Sequence, residues 1–483
     1  MKRTSFVWSL FLILALTLLA GCASSSGSNQ NSALSADNLN LIFVVSPDLA
    51  YHTQGDINPD TASLTNQSLQ RSLLMATYLK NQVLGTNNVT GIYTLAPMTH
   101  LQTANNYPDM AAIGFIQQFA LLNQITVQGT TANSFPINAA YAPGDVPSRV
   151  VEPSPYIPGA QGLAFNDASG NNVALATRII NANHPGFYAF SAPWETTSAL
   201  LADIKAAKGY NLNLPTIYLG SNFVYAISIT PSGDVSLATF DSKLTPPATY
   251  PVLPPPPIVS ASCTQQDYFS YTLTAGVNGV VVPPGTNINE TAYLIRHAEA
   301  HPTSSFEDGN FVAAGQWRAL SLPNFLSNAL RGQTSPNVVY AIDPAQSFAL
   351  AANFSISYVR PSLTVLPYAI ANNLPYYLVS SFYIGASTDP AVAKATSDFL
   401  FTGGNLSNQT VLLAWEHNHY PPLITYLIQS YGGSVPVPAL SWPHTDYDTI
   451  WTVTLDAQGN LTVNNALCEG IDSAALPDTA PQF

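Results

Sequence analysis

With 14 Lys+Arg against 27 Asp+Glu in 483 residues, the chain has a formal net charge of -13 and too few cations to neutralise a phosphate backbone. Nucleic acid is therefore excluded as a partner, and any chemistry on phosphate must draw on a few basic groups gathered locally. Hydrophobic residues make up 47% and charged residues 8%, ample for packed cores in a chain long enough for two domains of about 200 residues each.

The N-terminus opens with Lys2-Arg3 and an apolar stretch, Phe6–Leu19, too short to span a bilayer as a stable helix. Leu19-Ala20-Gly21-Cys22 follows and resembles the lipobox of bacterial lipoproteins. That resemblance implies a signal peptide over residues 1–21, cleavage before Cys22 and acylation of its thiol. Residues 22–37, rich in Ser, Gly and Asn, read as a flexible tether to the membrane surface. Ala23 is not the Asp that commonly retains such proteins in the inner membrane. The expected location is the bacterial cell envelope, at the outer membrane (periplasmic or surface side) if the source is Gram-negative. In that oxidising compartment Cys263 and Cys468 are expected to pair, with two free thiols as the alternative.

Residues 38–243 begin with a β-rich run, LNLIFVVSPD (Leu39–Asp48). The next segment, LTNQSLQRSLLMATYLKNQVLG, places Leu69, Leu73, Ala76 and Val83 near helical spacing. NVTGIYTLAP is a second β-rich run. Val127–Gly170 is long and rich in Pro and Gly, the composition of a loop or lid. PGFYAFSAPWE leads from an apolar run into a helical pattern, and FVYAISITPSGDVSL reads as a hairpin. Residues 244–260, LTPPATYPVLPPPPIVS, suit an extended spacer. Residues 261–483 then repeat the order with TAYLIRHA, FVAAGQWRALSLPNFLSNALRG, NVVYAIDP, TVLLAWEHNH and TIWTVTLDAQGNLTV. Arg71 falls opposite Arg318, Pro97 opposite Pro344, and Gly233 opposite Gly459. Five segments in one order read as an internal duplication. The alternation of strands and helices indicates α/β units around a largely parallel sheet, with sites at the carboxyl ends of strands.

The scarce cations meet at Arg296-His297, where an apolar run ends. LIRHAE (Leu294–Glu299) resembles the Leu-x-Arg-His-Gly-Glu signature of the histidine phosphatase superfamily, which includes phosphoglycerate mutases and acid phosphatases; Ala298 stands where Gly is usual. DGNFVAAGQWRAL resembles the segment opening that family's first helix, with Gly315 and Arg318 in order. YVRPSLTVLPYA resembles the segment with a second arginine, Arg360, and VLLAWEHNHYPPL the segment with a second histidine, His417. The match runs from Thr291 to Val463. It implies two three-layer α/β/α sandwich domains, each with a mostly parallel central sheet; no cofactor or metal is expected. It also implies that His297 is the nucleophile forming a phosphohistidine. Arg296 and Arg360 would grip the phosphoryl oxygens in bidentate fashion, and His417 would add a hydrogen bond that strengthens in the transition state.

Phosphoryl transfer to His297 also needs a proton donor for the leaving group, and Glu299, Glu307, Asp308, Asp389 and Glu416 all remain candidates. The acid-phosphatase branch has an acid directly after its second histidine, whereas Asn418 follows His417 here. A metal site is the rival reading, with His297/His301 and His417/His419 at ligand-like spacings; two adjacent arginines and no acidic cluster at fixed spacing argue against it. His301 and His419 otherwise line the pocket or face solvent. His52, His100, His184 and His444 read as ordinary core or surface residues.

In the first half, Ser46-Pro47 stands at the Arg-His place, Thr99 stands opposite Arg360, and Pro185–Leu200 contains no histidine. That half reads as a degenerate copy kept for packing, ligand binding or a protein partner. The expected function is a membrane-anchored phosphatase hydrolysing a phosphomonoester through a phosphohistidine. The alternative is a non-catalytic surface lipoprotein that binds a phosphorylated ligand or a protein partner. Sugar phosphate, nucleotide, phytate and phosphoprotein all remain open as substrates. Mass spectrometry of the mature N-terminus is expected to find acyl chains on Cys22, and an unmodified cysteine there would rule out the anchor.

Overall fold

Each of the two β-rich runs that carry the repeat becomes the middle strand of a sheet. The computed structural model describes residues 33–483 apart from 103–104, 106, 128–129, 140–171, 255–267, 302–306, 346, 352–353, 380–388 and 436–439. The signal peptide, Cys22, Cys263 and most of the Val127–Gly170 segment lie outside the described residues. The first half contains β1 (Leu39–Val45), α1 (Asn66–Tyr78), β2 (Gly91–Thr94), α2 (Ala111–Leu121), α3 (Asn172–Ala182), β3 (Gly186–Ala192), α4 (Trp194–Lys208), β4 (Phe223–Ile229) and β5 (Val235–Asp241). The second contains β6 (Ser270–Leu273), β7 (Glu290–Arg296), α5 (Ala313–Ala329), β8 (Val338–Ile342), α6 (Arg360–Asn372), β9 (Tyr376–Val379), α7 (Pro390–Phe401), β10 (Thr410–Trp415), α8 (Tyr420–Ser430), β11 (Thr449–Leu455) and β12 (Leu461–Cys468).

The first sheet runs β5-β4-β1-β3-β2, and the second runs β6-β12-β11-β7-β10-β8-β9. The five strands β12-β11-β7-β10-β8 thus repeat the order of the first sheet. Orientations repeat as well: β1 is parallel to β3 and antiparallel to β4, as β7 is parallel to β10 and antiparallel to β11. The fold is mixed α/β with a parallel centre, and both expected hairpins, β4–β5 and β11–β12, form.

Both central strands are buried on both faces, so their side chains alternate between two cores. Leu41 and Phe43 of β1 face α3 and α4, whereas Ile42 and Val44 face inward. In β7, Ala292 and Leu294 face α7 and α8, whereas Tyr293 and Ile295 face inward. The inward faces of both sheets meet α1, α2, α5 and α6 in one continuous apolar core. Residues 33–483 accordingly form one compact unit, with a helical layer shared between two sheets.

Polar groups also cross between the halves. Gln117 Nε2 donates to Asn310 Oδ1 at 2.9 Å, Gln316 Nε2 to Gln118 Oε1 at 2.9 Å, and Ser134 Oγ to Asp308 Oδ2 at 2.7 Å. The described part of the Pro-rich stretch packs against the shared core. Tyr250 donates its hydroxyl to Leu320 O at 2.8 Å, and Leu244, Tyr250 and Leu253 pack on the shared core. Proline fixes an extended backbone without forbidding such packing.

Cys468, at the end of β12, is disulfide-bonded. A half expressed alone would expose its inward helices, at about 1.5–3 kcal/mol for each large apolar side chain uncovered. Residues 33–243 and 261–483 produced separately are expected to aggregate, and co-expression to recover a soluble pair on gel filtration. A soluble, monomeric 261–483 would show that the shared core is dispensable.

Candidate active site

Parallel pairing of β7 with β10 sets Arg296 opposite Trp415, and the His297 amide continues the ladder by donating to Trp415 O at 3.0 Å. The residues after the two strand ends, His297 and Glu416, are thereby side by side. His297 Nδ1 lies 2.8 Å from Ala298 O, so that nitrogen carries the proton and Nε2 carries the lone pair. Nε2 lies 3.4 Å from Glu416 Oε1, and the same oxygen lies 3.1 Å from His417 Nδ1.

Two arginines flank the ring, each laid over a tyrosine. The Arg360 guanidinium lies 4.4 Å from the Tyr358 ring centre, and that of Arg296 lies 3.8 Å from the Tyr447 ring centre. Both tyrosine rings are 6.1 Å from the His297 ring. The four residues expected to form the site are therefore brought together at the carboxyl ends of β7 and β10. Tyr358 opens the YVRPSLTVLPYA segment, whereas nothing in the sequence pattern points to Tyr447. His444 contributes through its backbone: its carbonyl and that of Asp446 accept from Arg296 Nη1.

Two glycines permit the close approach that assembles the site. Gly309 has φ +74°, and a Cβ there would lie 1.9 Å from Ser357 O. Its own carbonyl accepts from the amides of Val359 and Arg360, tying the Glu307 loop to the start of α6. A Cβ on Gly315 would lie 2.7 Å from Phe311 Cβ and 3.0 Å from Glu299 O, so α5 can close on the loop after His297 only with glycine there.

Burial, reinforced by Arg360 and Arg296, lowers the His297 pKa to about 4, so the ring is neutral at physiological pH. Burial raises the Glu416 pKa, but hydrogen bonding at its carboxylate more than offsets it and holds the carboxyl well below the usual range. Glu307 is likewise held low, because Arg360 more than offsets its burial. Arg360 is already engaged: Nη1 and Nη2 donate to the two Glu307 oxygens at 2.7 and 2.8 Å. The clamp expected for phosphate is thus closed on an internal carboxylate.

The five candidate proton donors separate. Glu299 Oε1 accepts from Arg318 Nε at 2.8 Å in a buried cluster where Glu469 takes Arg318 Nη1 at 2.6 Å, so Glu299 is structural. Asp389 caps α7 through the Ala391 amide, and Asp308 accepts from Ser134. Glu307 holds Arg360. Glu416 touches the proposed nucleophile.

The imidazole pairs that spacing suggested for a metal do not form. His301 turns to Asp308 at 3.7 Å, and His419 stacks on Trp415 with ring centres 4.2 Å apart. Among the described residues, the group able to hold a cation is His297, Glu416 and His417. The matching end of the first sheet has a different character. Ser46 follows β1, and His100 Nε2 lies 3.5 Å from Asp48 Oδ2 beside the buried Asp109, whose pKa burial raises to about 6.

No family model and no curated protein matches the chain. Solved structures share limited similarity with it. A phosphoglycerate mutase from Plasmodium falciparum is 15% identical over 41% of this chain and 99% of its own, with a TM-score of 0.25. A mycobacterial glucosyl-3-phosphoglycerate phosphatase is 11% identical over 35% and 93%, at 0.23. A phosphoserine phosphatase from Entamoeba histolytica is 12% identical over 37% and 96%, also at 0.23. At these values the likeness transfers neither activity nor substrate, and a functional reading has to rest on the side chains.

Because Glu307 competes for Arg360, Glu307→Gln is expected to tighten vanadate binding roughly 5- to 10-fold, read by titration of the folded variant. Unchanged or weaker binding would show that the carboxylate does not occupy the anion's place.

Proposed function

We propose that this protein is a lipid-anchored phosphatase of the histidine type, acting on a phosphomonoester through the second half of the chain. The observation that carries the reading is the neutral His297 imidazole, with Nδ1 tied to a backbone carbonyl and Nε2 left as a lone pair between two buried arginines. A neutral nucleophile flanked by fixed cations suits attack on an anionic phosphoryl group, whose equatorial oxygens gain stabilisation as the transition state forms.

In the proposed sequence the dianion displaces Glu307 from Arg360. The Nε2 lone pair forms an N–P bond while the P–O ester bond breaks. A dianion beside Glu416 raises its pKa, so the carboxyl takes up a proton on binding and delivers it to the departing alkoxide. Water then attacks phosphorus, the N–P bond breaks, and the proton from water returns to Glu416. His417 hydrogen-bonds the phosphoryl oxygens throughout.

The first half is read as a degenerate duplicate, supported by its matching strand order and by Ser46-Pro47 standing where the second half has Arg296-His297. It would hold the catalytic half in shape through the shared core and leave its outer face for a partner. Anchoring through Cys22 to the bacterial envelope and pairing of Cys263 with Cys468 complete the reading.

His297→Ala is expected to abolish turnover of a generic aryl phosphate while vanadate still binds weakly. Glu416→Gln is expected to slow turnover by roughly 10²- to 10⁴-fold with vanadate binding retained. Because the His297 pKa is depressed to about 4, the nucleophile is neutral above that value, and kcat/KM is expected to lose its nucleophile only as pH falls through about 4. Rapid quenching without acid should trap phosphate on His297 as an acid-labile, base-stable adduct. Wild-type turnover in folded His297→Ala would remove His297 as nucleophile. Saturable vanadate binding with no turnover on a broad phosphate panel would favour the binding-protein reading.

A further inference from the structure

The contact between His297 and Glu416 poses a problem that phosphoryl chemistry alone leaves open. His297 Nδ1 donates to Ala298 O, which leaves Nε2 as the ring nitrogen facing the other groups of the site. Glu416 Oε1 faces that nitrogen at 3.4 Å. Such a pair needs something positive between its atoms, a shared proton or a metal ion. His417 Nδ1 closes the group at 3.1 Å from the same oxygen, and His297, Glu416 and His417 each offer a ligand atom within 4.8 Å of the others.

We propose that His297 Nε2, Glu416 Oε1 and His417 Nδ1 form a three-ligand site for a divalent cation of the zinc class, which occupies the imidazole that would otherwise attack phosphorus. Bonds of about 2.0–2.1 Å in a tetrahedral zinc site put neighbouring ligand atoms about 3.3–3.4 Å apart, and 3.4 and 3.1 Å are separations that small side-chain adjustments bring to that value. The Nδ1 contact to Ala298 O is the outer hydrogen bond that orients a ligating histidine. Two imidazoles and one carboxylate favour zinc over magnesium or calcium, which take oxygen ligands.

The neighbouring arginines do not forbid a cation. Glu307 neutralises Arg360 through two hydrogen bonds, and Arg296 turns Nη1 away to the carbonyls of His444 and Asp446. Three protein ligands leave a fourth coordination position unfilled by the protein. With the metal in place Nε2 has no lone pair for phosphorus, so binding the cation and forming the phosphohistidine exclude each other. The metal site stands on geometry alone; only its inhibitory consequence rests on the phosphatase reading.

Equilibrium dialysis of the full chain against zinc, with bound metal counted by mass spectrometry, tests the site. One zinc per chain is expected, undisturbed by excess magnesium. His417→Ala and Glu416→Gln are each expected to weaken it roughly tenfold or more, and the exposed His184→Ala to leave it unchanged. Cobalt in place of zinc needs no variant and should give the intense visible bands of a four-coordinate site. No bound metal, six-coordinate cobalt bands, or wild-type affinity in folded His417→Ala would overturn the site. Zinc should also stop aryl phosphate turnover, with a chelator restoring it, and turnover unaffected at saturating zinc would overturn the competition. Absence of any turnover in the metal-free protein, with zinc binding itself intact, would defeat the phosphatase reading and leave the metal site standing.

Discussion

A guanidinium taken out of water must find a carboxylate or a set of carbonyls, and that requirement organises this molecule. Arg71, Arg296, Arg318 and Arg360 are all buried in a chain with only 14 basic residues. Desolvating an unpaired ion costs several kcal/mol, so each has been given partners. Arg71 takes Asp56, Asn222 and the Leu244 carbonyl. Arg318 takes Glu299, Glu469, the Ile471 carbonyl and Ser473, and so joins the loop after β7 to the segment after β12. These two occupy matching helices of the two halves and are sealed. Arg296 and Arg360 differ in having aromatic faces and replaceable partners, which is the arrangement an anion can exploit.

The same requirement divides the acids. Glu299 and Glu469 are committed to Arg318, whereas Glu307 holds Arg360 and Glu416 lies between His297 and His417. With His297 neutral, Arg296 and Arg360 are balanced by Glu307 and Glu416, so the empty site carries little net charge. On the phosphatase reading proposed above, a phosphate dianion would enter as Glu307 leaves or as Glu416 gains a proton, and proton uptake would be coupled to substrate binding.

The shared core explains why a half without the site residues is retained. The inward faces of β1 and β7 pack on the same helical layer, and Gln117, Gln118 and Ser134 reach from the first half to Asn310, Gln316 and Asp308. Asn310 also offers its carbonyl to Arg360 Nη1 at 3.4 Å, which is at the limit of hydrogen bonding. The first half thus braces the loop that carries Glu307, and its loss would loosen the clamp as well as uncover apolar surface.

Strand and helix positions were legible because period-2 and period-3.6 patterns are local, and TAYLIRHA and FVAAGQWRALSLPNFLSNALRG became β7 and α5. The order of the repeated segments foretold a common strand order, and the Arg-His pair, Arg360 and His417 converged as their residue types suggested. Sequence alone determined which groups could do phosphate chemistry, since a chain this poor in cations offers few choices. It could not determine which acid joins them, because five carboxylates at irregular spacings are equivalent until buried arginines claim some of them. Nor could it show that the halves share one core, because an apolar helix face does not name the surface that covers it. Glu416 lies beside His297 only through the parallel register of β7 on β10, a contact across 119 residues that hydrogen bonding between distant strands decides.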